Sequence, residues 1–167
     1  AQINGIQKAK NKLPEFYNNP DIVYPIKLSM EQCSSEQTAI YKSSLFRHSE
    51  LDPESSIIDF TGGFGIDSFY FAKKFKQVTY IEQNQELFDL VKSNFNNLKA
   101  SNIELINATA EDFLESTNKK ADAVYIDPSR RNENQRVFKL DECTPNIIEL
   151  TPSIFKIADK ILVKTAP

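Results

Sequence analysis

Glycine is scarce in this chain: there are four in 167 residues, and Gly62, Gly63 and Gly65 fall within one four-residue stretch. Glycine serves tight turns and close backbone approach, so a sequence this sparing has concentrated it at one site. Cysteine is scarcer still, with only Cys33 and Cys143, and histidine occurs once, at His48. Two cysteines exclude a disulfide framework, and with the single histidine far from either there is no zinc-type ligand spacing. Neither a metal nor a disulfide is expected. Long hydrophobic runs are missing too: no stretch approaches the roughly 18 apolar residues of a membrane span. No apolar segment follows a basic start, which removes the pattern of a secretory leader. The composition is that of a cytoplasmic protein.

What is present suits one ordinary core: 40% hydrophobic residues, 26% charged residues and a formal net charge of -3. The chain begins at Ala1 without an initiator methionine and stops at Pro167 just after the apolar run ILVK, which reads as an excised piece of a longer protein.

Residues 1–50 are polar and punctuated by Pro14, Pro20 and Pro25, and they read as an N-terminal helical region. A first helix is expected to run to Lys12. A second is expected from near Ser29, with Ser34 and Gln37 at capping-box spacing and Ile40, Tyr41, Leu45 and Phe46 at helical intervals. LDPESS (51–56) reads as a linker. From Ser56 short apolar runs alternate with amphipathic stretches. Strands are expected at 56–61, 78–82, 102–107, 121–127 and 160–164, and helices at 64–75, 85–100 and 110–117. Thr151-Pro152 reads as an N-cap followed by proline at the first helical position. In the 85–100 helix, Leu87, Leu90, Val91, Phe95 and Leu98 make the core stripe. Strands alternating with helices imply right-handed crossovers and a parallel sheet. The expectation is a doubly wound α/β domain over 51–167 with at least five strands.

In such a sheet ligands bind outside the carboxyl ends of the strands, where strand order reverses. The first strand runs into DFTGGFGID (59–67), whose glycines let backbone N–H groups approach a ligand. The second ends in Glu82, 17 residues after Gly65, the place for a carboxylate that accepts from ribose hydroxyls. The third leads into NATAED, where Thr109 or Glu111 can pair with an adenine amino group and the Ala110 N–H can meet a ring nitrogen. The fourth ends in IDPSRR (126–131), which sets Asp127, Pro128, Ser129, Arg130 and Arg131 at the mouth of the cleft as a substrate-side site. The basic residues after the fourth strand, Arg130, Arg131, Arg136 and Lys139, are opposed only by Glu133.

Taken together, DFTGGFGID, Glu82 after VTYI, NATAED and YIDPSRR resemble the Rossmann-like class I S-adenosylmethionine methyltransferases over residues 56–165. DPSRR is similar to the DPP(R) motif of RNA methyltransferases. LSMEQCSSEQTAIYKSSL is similar to the helical lead-in of the trimethylguanosine-synthase-like and bacterial THUMP-like groups. The resemblance implies that Asp59, Gly62, Gly63 and Gly65 hold the methionine part of S-adenosylmethionine and that Glu82 binds its ribose; Thr61, in the same loop, is a further cofactor-binding candidate. It also implies that Asp127 and Pro128 face the methyl acceptor; beside them Arg130 is a further catalytic candidate, and Ser129 and Arg131 are candidates for binding substrate. RNA is the implied partner. The family's usual adenine-contact aspartate is replaced by Thr109, which leaves Glu111 or Asp112 in that role. Uracil-C5 enzymes with a similar motif carry a cysteine after the fifth strand, whereas this chain reads KTAP, so direct in-line transfer without a covalent enzyme intermediate is expected. The family's sheet has seven strands, and this chain ends after the fifth.

Two other functions fit part of the pattern. A nicotinamide-dependent oxidoreductase shares the glycine loop and strand-two acid, but the third glycine of G-x-G-x-x-G would fall on Ser68. An RNA-binding module on a methyltransferase fold, without turnover, fits the acidic net charge, because phosphate contacts dominate RNA affinity.

Overall fold

The computed structural model describes residues 2–46, 54–129, 131–132, 135–136 and 140–165; of residues 131, 132, 135, 136 and 140 it describes the backbone only. His48 and most of the expected 51–56 linker lie outside the described residues.

The chain opens with four helices, α1 (Gln2–Lys12), α2 (Pro14–Tyr17), α3 (Lys27–Gln32) and α4 (Glu36–Leu45). In α1 the buried positions are Gly5 and Ala9, and buried Leu13 follows, which at a spacing of four makes one stripe. Gly5 is small by necessity, since a Cβ there would stand 2.3 Å from the Tyr24 side chain. The single second helix expected from Ser29 is two helices, broken at Cys33 and Ser34. Ser35, not Ser34, caps α4, its side chain accepting from the Thr38 N–H. The face of α4 differs as well: Ile40, Tyr41 and Leu45 are exposed, while Ala39, Lys42, Ser43 and Phe46 turn inward.

The α/β part then follows: β1 (Ser56–Asp59), α5 (Ile66–Ala72), β2 (Gln77–Glu82), α6 (Gln85–Asn97), β3 (Ile103–Asn107), α7 (Ala110–Ser116) and β4 (Ala123–Ile126). A short hairpin, β5 (Arg131–Asn132) with β6 (Gln135–Arg136), and a 3₁₀ turn at Leu140–Glu142 lead into α8 (Ile147–Ile154) and β7 (Lys160–Val163). The α8 helix starts earlier than expected, capped by Asn146, whose side chain accepts from the N–H groups of Ile148 and Glu149. Thr151 is inside the helix, where its hydroxyl donates back to the Ile147 carbonyl at 2.7 Å, and Pro152 is inside too.

Five strands make one parallel sheet in the order β3-β2-β1-β4-β7. Strand order reverses between β1 and β4, because β2 and β3 extend to one side and β7 to the other. Alternate residues feed two cores, as the period of two requires. Ile57, Tyr80 and Tyr125 point to the layer of α5, α6 and the N-terminal helices. Ile58, Ile81 and Ile126 point to the layer of α7 and α8.

The N-terminal helices share the first of these cores. Phe16 meets Phe64 and Phe69 edge-on at 5.7 and 5.2 Å between ring centres, and Phe46 meets Phe71 and Phe75 at 5.8 and 5.4 Å. Each fully buried side chain of this size contributes roughly 1.5–3 kcal/mol. Buried Asn94 of α6 adds a polar clamp, accepting from the Val23 N–H at 2.9 Å and donating to the Val23 carbonyl at 2.8 Å. That clamp occupies a position within the expected apolar stripe of α6. Phe88, Val91 and Phe95 are the buried apolar residues of the helix, and Leu87, Leu90 and Leu98 are half-buried against the core.

Candidate functional site

The loop from β1 into α5 holds the glycine cluster, and each of its glycines is required for a different reason. Gly62 donates to the Ile81 carbonyl at 2.8 Å and lies flat on the buried Tyr80 ring, which a Cβ would enter at 2.2 Å. Gly63 has a φ of +53°; its N–H donates to Glu82 Oε2 at 2.9 Å and its carbonyl accepts from the Tyr80 hydroxyl at 2.7 Å. Gly65 has a φ of +79°, and a Cβ there would stand 2.6 Å from Phe95 Cζ. Gly65 is therefore the contact point between the loop and α6, and it is not among the residues that line the cleft.

Asp59, at the end of β1, is fully buried. It accepts from the Thr61 N–H at 3.0 Å and from the Ser68 hydroxyl at 2.6 Å, which holds the loop to the helix that follows. Burial pushes its carboxyl up to about 7, with the Asp67 charge adding to the rise and the Ser68 and Thr61 hydrogen bonds opposing it.

A cleft of about 910 Å³ opens above this loop at the point where strand order reverses. Of the residues expected at a cofactor site, Thr61, Gly62, Gly63, Glu82, Thr109, Ala110 and Glu111 line it, while Asp59 and Gly65 lie beneath its floor. Glu82 is tied down, its Oε1 accepting from the Asn84 N–H at 2.7 Å. Each carboxylate oxygen has a second lone pair, so both can still accept from a ligand hydroxyl. Thr109 caps α7, its hydroxyl accepting from the Asp112 N–H at 3.0 Å. Ile81, Leu87 and Ala108 supply an apolar wall of the kind that takes a flat aromatic ring.

Across the cleft stand Asp127, Pro128 and Ser129. The Asp127 N–H donates to Thr61 Oγ1 at 2.7 Å, a side-chain link between the two sides of the cleft in addition to the pairing of β1 with β4. Arg130 is outside the described residues, and Arg131 is described only as backbone in β5. Ser129 and Thr144 exchange backbone hydrogen bonds at 2.7 and 3.0 Å, which returns the chain to the cleft wall at Thr144 and Pro145.

Several wall residues were not among those expected at the site. Lys164 follows β7, and its ammonium lies 2.5 Å from Asp127 Oδ2. It stands at a strand's carboxyl end, the position that pointed to the other site residues. Gln32, Cys33 and Ser34 reach the cleft from the N-terminal helices, and Asp67 reaches it from α5. Cys33 donates to the Met30 carbonyl at 3.4 Å, and burial raises its thiol pKa, which disfavours the thiolate needed for attack. Among the described residues no three His, Cys, Asp or Glu side chains gather as a metal site, and no helix is long and apolar enough to cross a membrane.

Three comparisons bear on this geometry. The sequence profile of the family described as Conserved hypothetical protein 95 matches residues 38–147. Ribosomal RNA small subunit methyltransferase J of Francisella philomiragia is 29% identical over 147 residues, which cover 80% of this chain and 58% of the relative. Among solved structures, a protein of Porphyromonas gingivalis W83 described as a putative methyltransferase superposes with a TM-score of 0.82 at 29% identity, covering 99% of this chain and 40% of its own. A putative methyltransferase of Streptococcus mutans in complex with SAH shares the fold, with a TM-score of 0.54 at 18% identity over 72% of this chain and 66% of its own. The chain thus spans less than two thirds of the length of the first two relatives.

Proposed function

We propose, because the chain belongs to the Conserved hypothetical protein 95 family and has the Rossmann-like class I methyltransferase fold, that its cleft binds S-adenosylmethionine and serves methylation of a base in ribosomal RNA. The observation that carries the reading is one cleft at the switch point with the glycine loop and Glu82 on one wall and Asp127 on the other. The name of the Francisella relative supports small-subunit ribosomal RNA as the substrate class. It favours that placement over the narrower likeness to the THUMP-like and trimethylguanosine-synthase-like groups. Ribosomal RNA as substrate also accords with a cytoplasmic location.

The residues fit the cofactor by their chemistry. Glu82 offers acceptors for ribose hydroxyls, and the loop at Thr61–Gly63 brings backbone close to the ligand. Thr109, Ala110 and Glu111 stand where an adenine edge would be read, beside the apolar wall. Bound there, S-adenosylmethionine supplies a methyl group already activated by its sulfonium, so the protein has only to position the acceptor and take up a proton. Asp127 is the group suited to both, because its carboxylate faces the cleft and accepts a hydrogen bond or a proton from a base nitrogen, and Lys164 fixes its orientation. Pro128 stiffens the strand end and Ser129 extends the acceptor side; Arg130 and Arg131, next in sequence, are proposed to serve the same substrate. Among the described residues neither cysteine suits a covalent intermediate: burial raises the Cys33 thiol, which disfavours the thiolate, and Cys143 is buried.

The test uses the full-length protein. Calorimetry with S-adenosylhomocysteine should give micromolar binding, and labelled methyl groups should enter small-subunit RNA taken from cells lacking the gene. Asp127→Ala should keep the binding and lose the transfer, as should Lys164→Met to a lesser degree. Absence of both heat and label overturns the reading, whereas binding without label leaves an RNA-binding module on a methyltransferase fold.

A further inference from the structure

Lys42 is a buried lysine with no place in the roles above. Its ammonium, on α4, lies 2.6 Å from Asp67 Oδ1, 2.6 Å from the Ser34 hydroxyl oxygen and 2.7 Å from the Tyr125 hydroxyl oxygen. The contacts to Ser34 and Tyr125 are hydrogen bonds donated by the ammonium. Asp67 closes the ring, its Oδ2 accepting from the Ser34 hydroxyl at 2.8 Å and from the Tyr125 hydroxyl at 3.2 Å. The Lys42 and Asp67 side chains are 7% and 11% exposed, and burial lowers the Lys42 pKa while the Asp67 charge pulls it back up. The contact to Asp67 Oδ1 is an ion pair without hydrogen-bond alignment.

A buried ion pair is a poor device for stability, since desolvating two charges offsets most of their attraction and an apolar replacement often does as well. Its location suggests another use. Asp67 sits two residues after Gly65, in the first turn of α5, and so moves with the glycine loop. Tyr125 sits two residues before Asp127 on β4. Its ring packs edge-on to Phe71 of α5 at 5.1 Å, and the Lys42 ammonium lies 4.8 Å from its centre. Ser34 and Asp67 themselves line the cleft. The ring of contacts therefore ties the loop wall, the acceptor strand and the N-terminal helices together at the cleft's base. The same two walls are also linked through the Asp127 N–H and Thr61 Oγ1.

We propose that Lys42 is a positioning residue for methyl transfer: through Asp67 and Tyr125 it fixes the separation between the glycine loop and Asp127. This rests on the methyltransferase reading for its kinetic part and on the structure alone for its geometric part. A misplacement of about 1 Å in a transfer of this kind lowers the rate by roughly a hundredfold. The N-terminal helices are on this view part of the catalytic frame, not a cover laid over it.

The experiment compares the full-length wild type with Tyr125→Phe, which removes one hydroxyl and keeps the ring, and with the charge-neutral pair Lys42→Met/Asp67→Asn. The pair is used because Lys42→Met alone leaves a buried carboxylate uncompensated and can prevent folding. Without cofactor, hydrogen exchange at the Asp127 amide should speed up by about tenfold in both variants, well beyond any change at the β2 amides, which report a general loss of stability. With RNA, kcat should fall by about tenfold in Tyr125→Phe and by about a hundredfold in the pair, with KM for RNA unchanged. Wild-type exchange at Asp127 in both variants, or wild-type kcat in the pair, overturns the proposal. A wild-type protein that transfers no methyl group overturns the methyltransferase reading instead, and the exchange measurement then decides this one alone.

Discussion

At Gly62, Gly63 and Gly65 one residue type meets three different constraints, and substitution separates them. Alanine at Gly62 would place its methyl inside the ring of Tyr80, which is fully buried and cannot move aside. Alanine at Gly65 combines a φ of +79° with a 2.6 Å approach to Phe95. Left-handed backbone costs an L-residue about 1–2 kcal/mol, and overpacking a core adds roughly 1–3 kcal/mol. Gly63→Ala meets only the first of these, since its nearest neighbour is the Thr61 carbonyl oxygen at 3.8 Å. Urea unfolding should thus show Gly63→Ala as the mildest of the three, and equal losses at all three positions would contradict this division. Asp59 gives a pH signature of its own. Its carboxyl is held near 7 in the fold against an ordinary value of 3.8, so the fold binds its proton more tightly than the unfolded chain does. The resulting stabilisation is complete below pH 3.8 and is lost as pH rises through about 7. Asp59→Asn keeps the acceptor for the Thr61 N–H and cannot ionise. Its stability relative to wild type should therefore improve between pH 4 and pH 8, and parallel curves for the two proteins would exclude a raised carboxyl at this position.

At the scale of elements, Asn146 and Thr151 compete for the start of α8. Thr-Pro is sound chemistry for a helix start, but Asn146 offers its side chain to two N–H groups at 3.1 and 3.4 Å, and Thr151 spends its hydroxyl on the carbonyl one turn back. Asn146→Ala should cost about 1 kcal/mol in thermal or urea unfolding, the usual worth of an N-cap, whereas Thr151→Ala should cost less. If Thr151→Ala proves the more damaging, the cap is misassigned. The five strands of the parallel sheet and their order of appearance were legible because short apolar runs, buried on both faces, and strand-end motifs leave a local pattern, as in VTYIE and ADAVYI. The face of α4 was not, because its inward residues include Lys42 and Ser43, which no apolar periodicity marks. Asn94 escaped for the same reason: its worth depends on Val23, 71 residues away. In the cleft, the glycine loop, Glu82 and Asp127 were legible from their strand ends. Lys164 occupies an equivalent end, but a lone lysine after a strand belongs to no motif, and its meaning comes only from Asp127, 37 residues away. Asp59 and Gly65 carry the right motif but work below the surface, a distinction of depth that spacing cannot express.

At the scale of the whole molecule, the N-terminal helices and the sheet bury one continuous apolar core. Ala9, Leu13, Phe16, Ile22, Tyr24, Met30, Ala39 and Phe46 are all buried, and they cluster with Ile57, Phe64, Phe69 and Phe71 of the α/β part. The larger of these side chains contribute roughly 1.5–3 kcal/mol each, so together they rival the 5–15 kcal/mol that separates a typical folded domain from its unfolded chain. Removing residues 2–46 would also strip Gln32, Cys33 and Ser34 from the cleft wall and leave Asp67 without its lysine. The shortened chain, residues 54–165, should therefore show by circular dichroism at most the helix and strand content of its remaining elements, bind a hydrophobic dye and melt without a cooperative transition. A sharp melt within a few degrees of the longer chain's would show instead that the sheet and its own helices form an autonomous domain. The loop and Asp127 would then be held in place without any help from Lys42.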